Sequence, residues 1–184
     1  DRHRSVLLLE AGLDYPDVDH LPPDVRDGND VTRAAEGDSL WKFVATSSSS
    51  QREPMFLPRG KIVGGSSSTN AMAYVRGNPA DYDGWAQSGL DGWSYAHALP
   101  YFQKQETWEG GGDDYRGDSG PLGTQFCRYR DPLVEAFAAA GQAAGFGWTE
   151  DYNGAQQEGF CRIQQTIRNG KRCSTAVAYL KPAL

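Results

Sequence analysis

The sequence contains little cysteine and little histidine, and neither residue type is clustered. Each type occurs three times among the 184 residues. The positions are Cys127, Cys161, Cys173, His3, His20 and His97. The odd number of cysteines and the lack of CxxC spacing argue against a disulfide framework, and the scattered histidines argue against a zinc site. The sequence therefore predicts no metal centre.

Long apolar runs and clusters of basic residues are also lacking. The longest apolar stretches lie at Val6–Leu9 and around Phe137–Ala140, and both are far too short to span a bilayer. The formal net charge is −6, and lysine and arginine never form a cluster longer than a pair, which argues against nucleic acid or an anionic membrane surface as a partner. With a hydrophobic content of 39%, the chain has enough apolar residues for a core. The composition favours a protein that acts on small molecules, and nothing in it indicates a compartment.

The first apolar run predicts a buried strand. Ser5–Leu9 is short and apolar and is followed by Glu-Ala-Gly, which is typical of a strand buried on both faces of a parallel sheet. The next segment, residues 13–56, is rich in Asp, Pro, Gly and Ser, so we interpret it as a long, lid-like excursion. A second stretch dominated by glycine and aspartate, residues 108–123, is interpreted as a loop.

Capping residues predict helices in the remainder of the chain. Asn, Ser and Asp side chains accept hydrogen bonds from the free amides at a helix N-terminus. The predicted helices start at Asn78, cover Tyr95–Glu106 and Leu133–Ala144, and run from Ser174 through Leu180. Alternating apolar and polar side chains over Phe160–Ile167 predict a strand, and Asn169-Gly170 predicts a tight turn.

The most unusual stretch is residues 57–77, LPRGKIVGGSSSTNAMAYVRG. A triphosphate-binding loop needs Gly-Lys followed at once by Ser or Thr, whereas Gly60-Lys61 is followed by Ile, so that function is excluded. A flexible linker is disfavoured because apolar residues flank the run on both sides. The remaining interpretation is a turn at Gly64, Gly65 and Ser66 that opens a helix whose free amides face an anionic or electron-rich group.

Glu10 is a second candidate binding residue. A carboxylate at a strand end can accept hydrogen bonds from both hydroxyls of an adenosine ribose in a dinucleotide-binding fold, although a solvated acid is the commoner role there. The glycine-rich turn of that fold precedes its acid by about 20 residues, and only nine residues precede Glu10. If Glu10 binds ribose, we expect the turn that binds pyrophosphate to be missing from this chain. Serine hydrolysis is a weaker alternative, because no histidine lies in a motif that would activate Ser66–Ser68.

Six motifs, in order along the chain, carry a resemblance to a known family. They are LLLEAG, PRGKIVGGSSSTNAMAYVRGNPADYDGW, GWSYAHALPYF, GDSGPL, DYNGAQQEGF and NGKRCSTAVAYLKPAL. Their combination resembles the glucose-methanol-choline (GMC) flavoprotein oxidoreductases, above all the bacterial choline and aliphatic alcohol dehydrogenase-like members, over their N-terminal portion. The resemblance implies an α/β fold, with a partial Rossmann-like FAD-binding domain over residues 1–90 and the beginning of an α+β substrate-binding domain over residues 91–184.

The resemblance assigns FAD contacts to three parts of the chain. Glu10 matches the acid that holds the ADP ribose, the glycine-serine run matches the loop near the pyrophosphate and ribityl chain, and the following stretch matches the segment beside the isoalloxazine ring. Backbone amides in such a segment can stabilise negative charge on a reduced flavin. The loop residues are Arg59, Gly60, Lys61, Ile62, Gly64, Gly65 and Ser66, and the ring residues are Asn70, Ala71, Met72 and Ala73. Some members attach FAD to a histidine just before that asparagine, and because Thr69 occupies this position the resemblance implies non-covalent FAD.

The implied reaction is oxidation of a primary alcohol, choline-like or aliphatic, by hydride transfer to flavin, with oxygen or a quinone as electron acceptor. The family's catalytic base is a histidine near its C-terminal end, and none of His3, His20 or His97 lies in that motif. We therefore assign no catalytic residue to this chain and expect the chain alone to be inactive. A second polypeptide carrying the glycine turn and the catalytic histidine is a candidate partner. Two alternatives stay open: a catalytically silent fragment or assembly subunit, and a member with lyase or photodecarboxylase chemistry.

Overall fold

The computed structural model describes residues 4–27 and 37–184, so that His3 and residues 28–36 of the predicted excursion lie outside the described part. The α-helices are α1 (Pro23–Arg26), α2 (Pro79–Gln87), α3 (Tyr95–Gln105), α4 (Pro132–Ala143) and α5 (Lys181–Ala183). The strands are β1 (Leu40–Ala45), β2 (Met55–Gly60), β3 (Glu106–Trp108), β4 (Leu122–Phe126), β5 (Gln164–Gln165), β6 (Ile167–Arg168) and β7 (Lys171–Arg172). Short 3-10 turns at Val18–His20 and Gly65–Ser68 and a π-helical turn at Ala176–Leu180 complete the regular structure of the described residues. This mixture of helices and strands confirms the predicted α/β class.

The chain divides into two compact units. Unit 1 comprises Asp1–Ala71 together with Ser174–Leu184, and unit 2 comprises Met72–Cys173. Unit 1 is therefore built from two separate pieces of the sequence, whereas unit 2 is continuous.

Unit 1 is organised around an antiparallel hairpin. β1 pairs with β2, with Leu40 opposite Gly60 at one end of the ladder. The pairing continues past the strands, because the amide of Lys61 donates to the carbonyl of Ser39 at 2.7 Å. Leu40 and Ile62 are buried beside this end of the hairpin, so the glycine-serine run starts from an anchored segment. The predicted excursion thus contains one strand of a hairpin that sequence analysis missed.

Unit 2 combines a small mixed sheet with three helices. The strand order is β3-β4-β5, with β3 parallel to β4 and β4 antiparallel to β5. β6 and β7 form a separate hairpin. The ring centroid of Tyr82 on α2 lies 5.2 Å from that of Trp85 on the same helix and 5.8 Å from that of Phe102 on α3. The edge-to-face contact between Tyr82 and Phe102 joins the two helices.

The predicted strand at Ser5–Leu9 is wrong. These residues belong to no strand, and the apolar side chains are open to solvent, with Val6 88% and Leu9 83% exposed. A buried parallel strand is stable only when neighbouring strands pair with its backbone groups and helices cover both faces of the sheet. Within the described residues the first such pairing comes later, as a parallel bridge between Leu13 and Ile62.

The predicted helices at Asn78, Tyr95–Glu106 and Leu133–Ala144 are confirmed because their signals are local, whereas the last predicted helix is a π-helical turn over Ala176–Leu180. The Asn78 side chain accepts a hydrogen bond from Ala80, and Asp81 completes a reciprocal capping box at the start of α2. At the start of α4 the Asp131 side chain accepts the amide hydrogen of Leu133. Asn169 and Gly170 both have positive φ and connect β6 to β7, as a tight hairpin turn requires.

Candidate functional site

The glycine-serine run forms a tight turn in unit 1. Gly64 and Gly65 have φ values of 95° and 55°, a left-handed conformation that residues with a Cβ rarely adopt. The turn leads directly into the 3-10 segment Gly65–Ser68. The predicted turn at this position is confirmed, although the helix that follows is a single short turn.

Serine hydroxyls hold this turn closed. Ser66 Oγ accepts the amide hydrogen of Gly60 at 3.0 Å, and Ser68 Oγ donates to the carbonyl of Val63 at 3.0 Å. Ser67 Oγ donates to the carbonyl of Gly64 at 2.6 Å. The serines are therefore occupied mainly with the backbone of their own loop.

The glycines allow one part of the backbone to pack against another. A Cβ atom on Gly60 would lie 2.3 Å from the carbonyl carbon of Gly65, and one on Gly12 would lie 1.9 Å from the carbonyl oxygen of Lys61. Both distances are far below van der Waals contact, so only glycine fits at these two positions. Gly65 differs, because a Cβ there would meet nothing within 4 Å among the described residues. Part of the glycine content thus serves the fold, and the surface around Gly65 is open.

Glu10 and Arg59 place opposite charges on the exposed surface of unit 1. Glu10 Oε1 accepts the amide hydrogen of Gly12 at 2.8 Å, and its other carboxylate oxygen has no hydrogen-bond partner among residues 4–27 and 37–184. Arg59 Nη1 donates to the carbonyl of Pro58 at 2.7 Å, and within the described residues no carboxylate pairs with this guanidinium. Both side chains are accessible to a ligand.

The stretch predicted to lie beside a flavin ring spans the end of unit 1 and the start of unit 2. Asn70 and Ala71 are exposed, and the Asn70 amide donates to the carbonyl of Ser66 at 2.9 Å. Met72 is fully buried and has φ of 61°, which is unusual for a residue with a side chain. Ala73 is exposed and forms an antiparallel bridge with Gln165. The structure therefore brings Gly60, Gly64, Gly65 and Ser66 together in one turn, while Met72 and Ala73 belong to unit 2.

Unit 2 contains a buried ionic cluster that sequence analysis missed. We define the ionic cluster as Arg76, Glu106, Arg116 and Asp151. Arg116 bridges both acids, with Nη2 2.6 Å from Glu106 Oε1 and Nη1 2.7 Å from Asp151 Oδ1. Arg76 Nη2 lies 2.7 Å from Glu106 Oε2, and the Glu106 and Arg116 side chains are both fully buried. Two positive and two negative groups balance each other, which allows burial of charges that would otherwise be very costly.

The cluster shifts the pKa values of two of its members. Burial lowers the pKa of Arg116, but its hydrogen bonds and attraction to Glu106 and Asp151 outweigh this effect and the net pKa is raised. Burial raises the pKa of Asp151, whereas hydrogen bonds from Gln164 and the Asn153 amide and the charge of Arg116 lower it, so the net pKa falls below its usual range. Both shifts favour the charged forms. No sequence signal indicated the cluster, because Arg116 lies in the stretch interpreted as a loop and its partners are 10 and 35 positions away.

Residues 4–27 and 37–184 contain neither a metal-binding cluster nor a membrane-spanning helix. No group of three or more His, Cys, Asp or Glu side chains in that part of the chain is arranged to hold a metal ion. Nor does any helix there have the length and apolar character needed to cross a membrane.

Known proteins resemble this chain in sequence and in fold. The family model for GMC oxidoreductase matches residues 37–184. The oxygen-dependent choline dehydrogenase of Brucella ovis is 53% identical over 150 residues, which cover 78% of this chain and 26% of that protein. Among solved structures, pyridoxine 4-oxidase from Mesorbium loti matches with a TM-score of 0.87 and 31% identity, covering 100% of this chain and 36% of that chain.

A further solved structure extends the match. An FAD-dependent oxidoreductase from Chaetomium thermophilum matches with a TM-score of 0.79 and 25% identity over 95% of this chain and 32% of that one. The chain thus spans 26% to 36% of the length of these relatives. The matched family model covers most of the sequence, and the quoted motifs fall largely within it. The chain belongs to the GMC oxidoreductase family.

Proposed function

We propose that the protein is an FAD-dependent oxidoreductase that oxidises a primary alcohol, choline-like or aliphatic. The observation that carries the proposal is the 53% identity to an oxygen-dependent choline dehydrogenase, which includes the glycine-serine run and the motifs around it. The match to pyridoxine 4-oxidase over the whole chain supports the same class. Because the chain spans about a quarter of the choline dehydrogenase, the activity is proposed for the whole protein.

The predicted cofactor residues fit FAD in their chemistry. An exposed carboxylate at Glu10 suits the ribose hydroxyls, and an exposed guanidinium at Arg59, with no carboxylate partner in the described residues, suits the pyrophosphate. Ala71 and Ala73, predicted to lie beside the flavin ring, are each small and exposed. When bound, FAD would supply the hydride acceptor, and this chain's residues would bind and orient it.

We propose that FAD is held without a covalent bond. Thr69 occupies the position at which a histidine would form the link, and its hydroxyl cannot form that bond. Its side chain is also largely buried, at 9% exposure. Acid precipitation of the purified protein should therefore release all flavin into the supernatant, and flavin retained in the pellet would contradict the non-covalent assignment.

The domain assignment is part of the same proposal. Residues 1–90 would contribute to the FAD-binding domain and residues 91–184 would begin the substrate-binding domain. The catalytic base would come from outside these residues, because no described histidine lies in the catalytic motif, and a second chain carrying it is one arrangement to be tested.

The experiment that tests the proposal is purification of the intact protein followed by anaerobic titration with alcohols. We expect a yellow protein with bound FAD whose absorbance near the visible flavin maximum bleaches on addition of choline or an aliphatic primary alcohol. Re-oxidation with oxygen and with a quinone in parallel would identify the acceptor. A protein that retains no FAD, or whose flavin no alcohol reduces, would overturn the proposed function.

A further inference from the structure

Two buried side chains of unit 2 grip the backbone of residues 72–76. The Tyr152 hydroxyl donates to the carbonyl of Tyr74 at 2.9 Å, and Asn153 Nδ2 donates to the same oxygen at 3.1 Å. Asn153 Oδ1 accepts the amide hydrogen of Arg76 at 2.8 Å. The oxygen and the nitrogen of the Asn153 side-chain amide thus both bind the main chain of residues 74–76.

The ionic cluster fixes these two side chains in turn. Asp151 Oδ1 accepts the amide hydrogen of Asn153 at 2.9 Å while its carboxylate pairs with Arg116. Gln164 Oε1 accepts hydrogen bonds from Arg116 Nη1 and from Asn153 Nδ2, each at 2.8 Å. The main-chain amide of Gln164 donates to the Tyr152 hydroxyl at 2.7 Å. A continuous set of hydrogen bonds therefore runs from the buried charges to the segment.

The backbone amide of Ala73 is turned away from this support. Ala73 pairs with Gln165, and the flanking hydrogen bonds run from Tyr74 N to Gln164 O and from Thr166 N to Met72 O, each at 2.9 Å. This pattern makes Ala73 and Gln165 a non-hydrogen-bonded pair, in which the N–H and C=O groups point outward from the ladder. Ala73 is also an exposed residue.

Resting on the proposed binding of FAD, we propose that the ionic cluster, acting through Tyr152 and Asn153, positions the Ala73 amide to stabilise negative charge on the flavin ring. Tyr152 and Asn153 are positioning residues in this arrangement. The interaction energy between an amide N–H and a negative charge depends steeply on distance and angle. A backbone segment that is held in place by side chains on one side therefore offers a preorganised donor, whereas a mobile segment does not. The buried charges would then contribute to the flavin potential as well as to stability.

The test uses the intact FAD-bound protein and Tyr152→Phe, which removes one hydroxyl and preserves the ring. We expect a more negative flavin midpoint potential in spectroelectrochemical titration. We also expect amide hydrogen exchange in residues 72–76 to become about three- to tenfold faster. Tyr129→Phe is the matched control, because the exposed Tyr129 hydroxyl donates to Asp131 at 2.9 Å in the same unit. The control should leave both quantities unchanged.

The outcomes separate this inference from the proposed function. FAD bound to Tyr152→Phe at the wild-type potential, with lower thermal stability, would show a purely structural cluster and overturn the inference alone. Wild-type protein without FAD would overturn both. If Tyr152→Phe does not fold, Asn153→Ser replaces it, because Asn153 Nδ2 makes the other side-chain hydrogen bond to the carbonyl of Tyr74, at 3.1 Å. The same expectations and the same contradicting result apply to that variant.

Discussion

Gly60 and Gly65 pack backbone against backbone, so closely that a Cβ atom on Gly60 would lie 2.3 Å from the carbonyl carbon of Gly65. The amide of Gly60 also donates to Ser66 Oγ at 3.0 Å. The two ends of the glycine-serine turn are thereby joined at Gly60, a position at which no side chain can be accommodated. The turn therefore has a structural role in addition to its proposed role in binding.

Replacement of Gly60 by Ala should open this turn. We expect a loss of at least about 2 kcal/mol in the free energy of unfolding, because the clash is with backbone and cannot be relieved by rotation of a side chain. Gly84→Ala is the control, since a Cβ there meets nothing within 4 Å and the residue lies inside α2. In a helix this change should be neutral or stabilise by about 0.5–1 kcal/mol. Urea unfolding of both variants measures the difference, and equal midpoints would contradict the close packing at Gly60.

Replacement of Glu10 by Ala should weaken FAD retention. Loss of the charge-assisted hydrogen bonds to ribose should raise the dissociation constant about tenfold or more. Glu10→Gln should give an intermediate value, because its side-chain oxygen can still accept the Gly12 amide. Fluorescence titration of the deflavinated protein with FAD gives these constants. The exposed Glu53→Ala serves as control, and an unchanged affinity for Glu10→Ala would refute the ribose assignment.

Replacement of Glu106 by Gln should destabilise unit 2 strongly. The change leaves two buried arginines with Asp151 as the remaining acid of the ionic cluster, and removing one partner of a buried pair costs about 3–5 kcal/mol. Glu109→Gln is the matched control, because Glu109 pairs with Arg128, whose side chain is 63% exposed. An exposed pair contributes at most about 1 kcal/mol. Similar unfolding midpoints for the two variants would show that burial of Glu106 carries no such energetic weight.

The ionic cluster should also make the free energy of unfolding sensitive to acid. The pKa of Asp151 is lower in the folded chain than the unfolded value of about 3.9. The contribution of the Asp151 charge to the free energy of unfolding is therefore complete above about pH 5. It is lost as the pH falls through the lower pKa of the folded chain. Asp151→Asn should be less stable than wild type by about 1 kcal/mol at pH 7, and the gap should narrow at pH 3. Guanidinium unfolding at both pH values tests this, with exposed Asp114→Asn as control; a gap that is equal at both pH values would contradict the prediction.

Sequence reasoning succeeded where a signal and its partner lie within a few residues. The cap at Asn78 and the turn at Asn169-Gly170 act on amides two to four positions away, so they could be read directly. It failed at Ser5–Leu9, because a buried strand depends on neighbours that the local pattern cannot specify. The family and the turn at residues 64–66 were predicted, whereas the ionic cluster was not.

The cluster could not have been foreseen from local pattern. Arg76, Glu106 and Asp151 lie 30 to 75 positions apart, and each has the appearance of an ordinary surface charge in the sequence. Only the packing of unit 2 brings them together away from water.

The two-piece construction of unit 1 has a consequence for the order of folding during synthesis. Ser67 Oγ shares a 2.9 Å hydrogen bond with Thr175 Oγ1, and 108 positions separate the two residues. At translation rates of about 5–20 residues per second, Thr175 is synthesised roughly 5–20 s after Ser67. Unit 2 is fully synthesised within that interval and has a continuous chain from which to fold. The two pieces of unit 1 are thus made before and after unit 2, and a cofactor that requires the Ser67–Thr175 contact can be bound only after Thr175 has been synthesised.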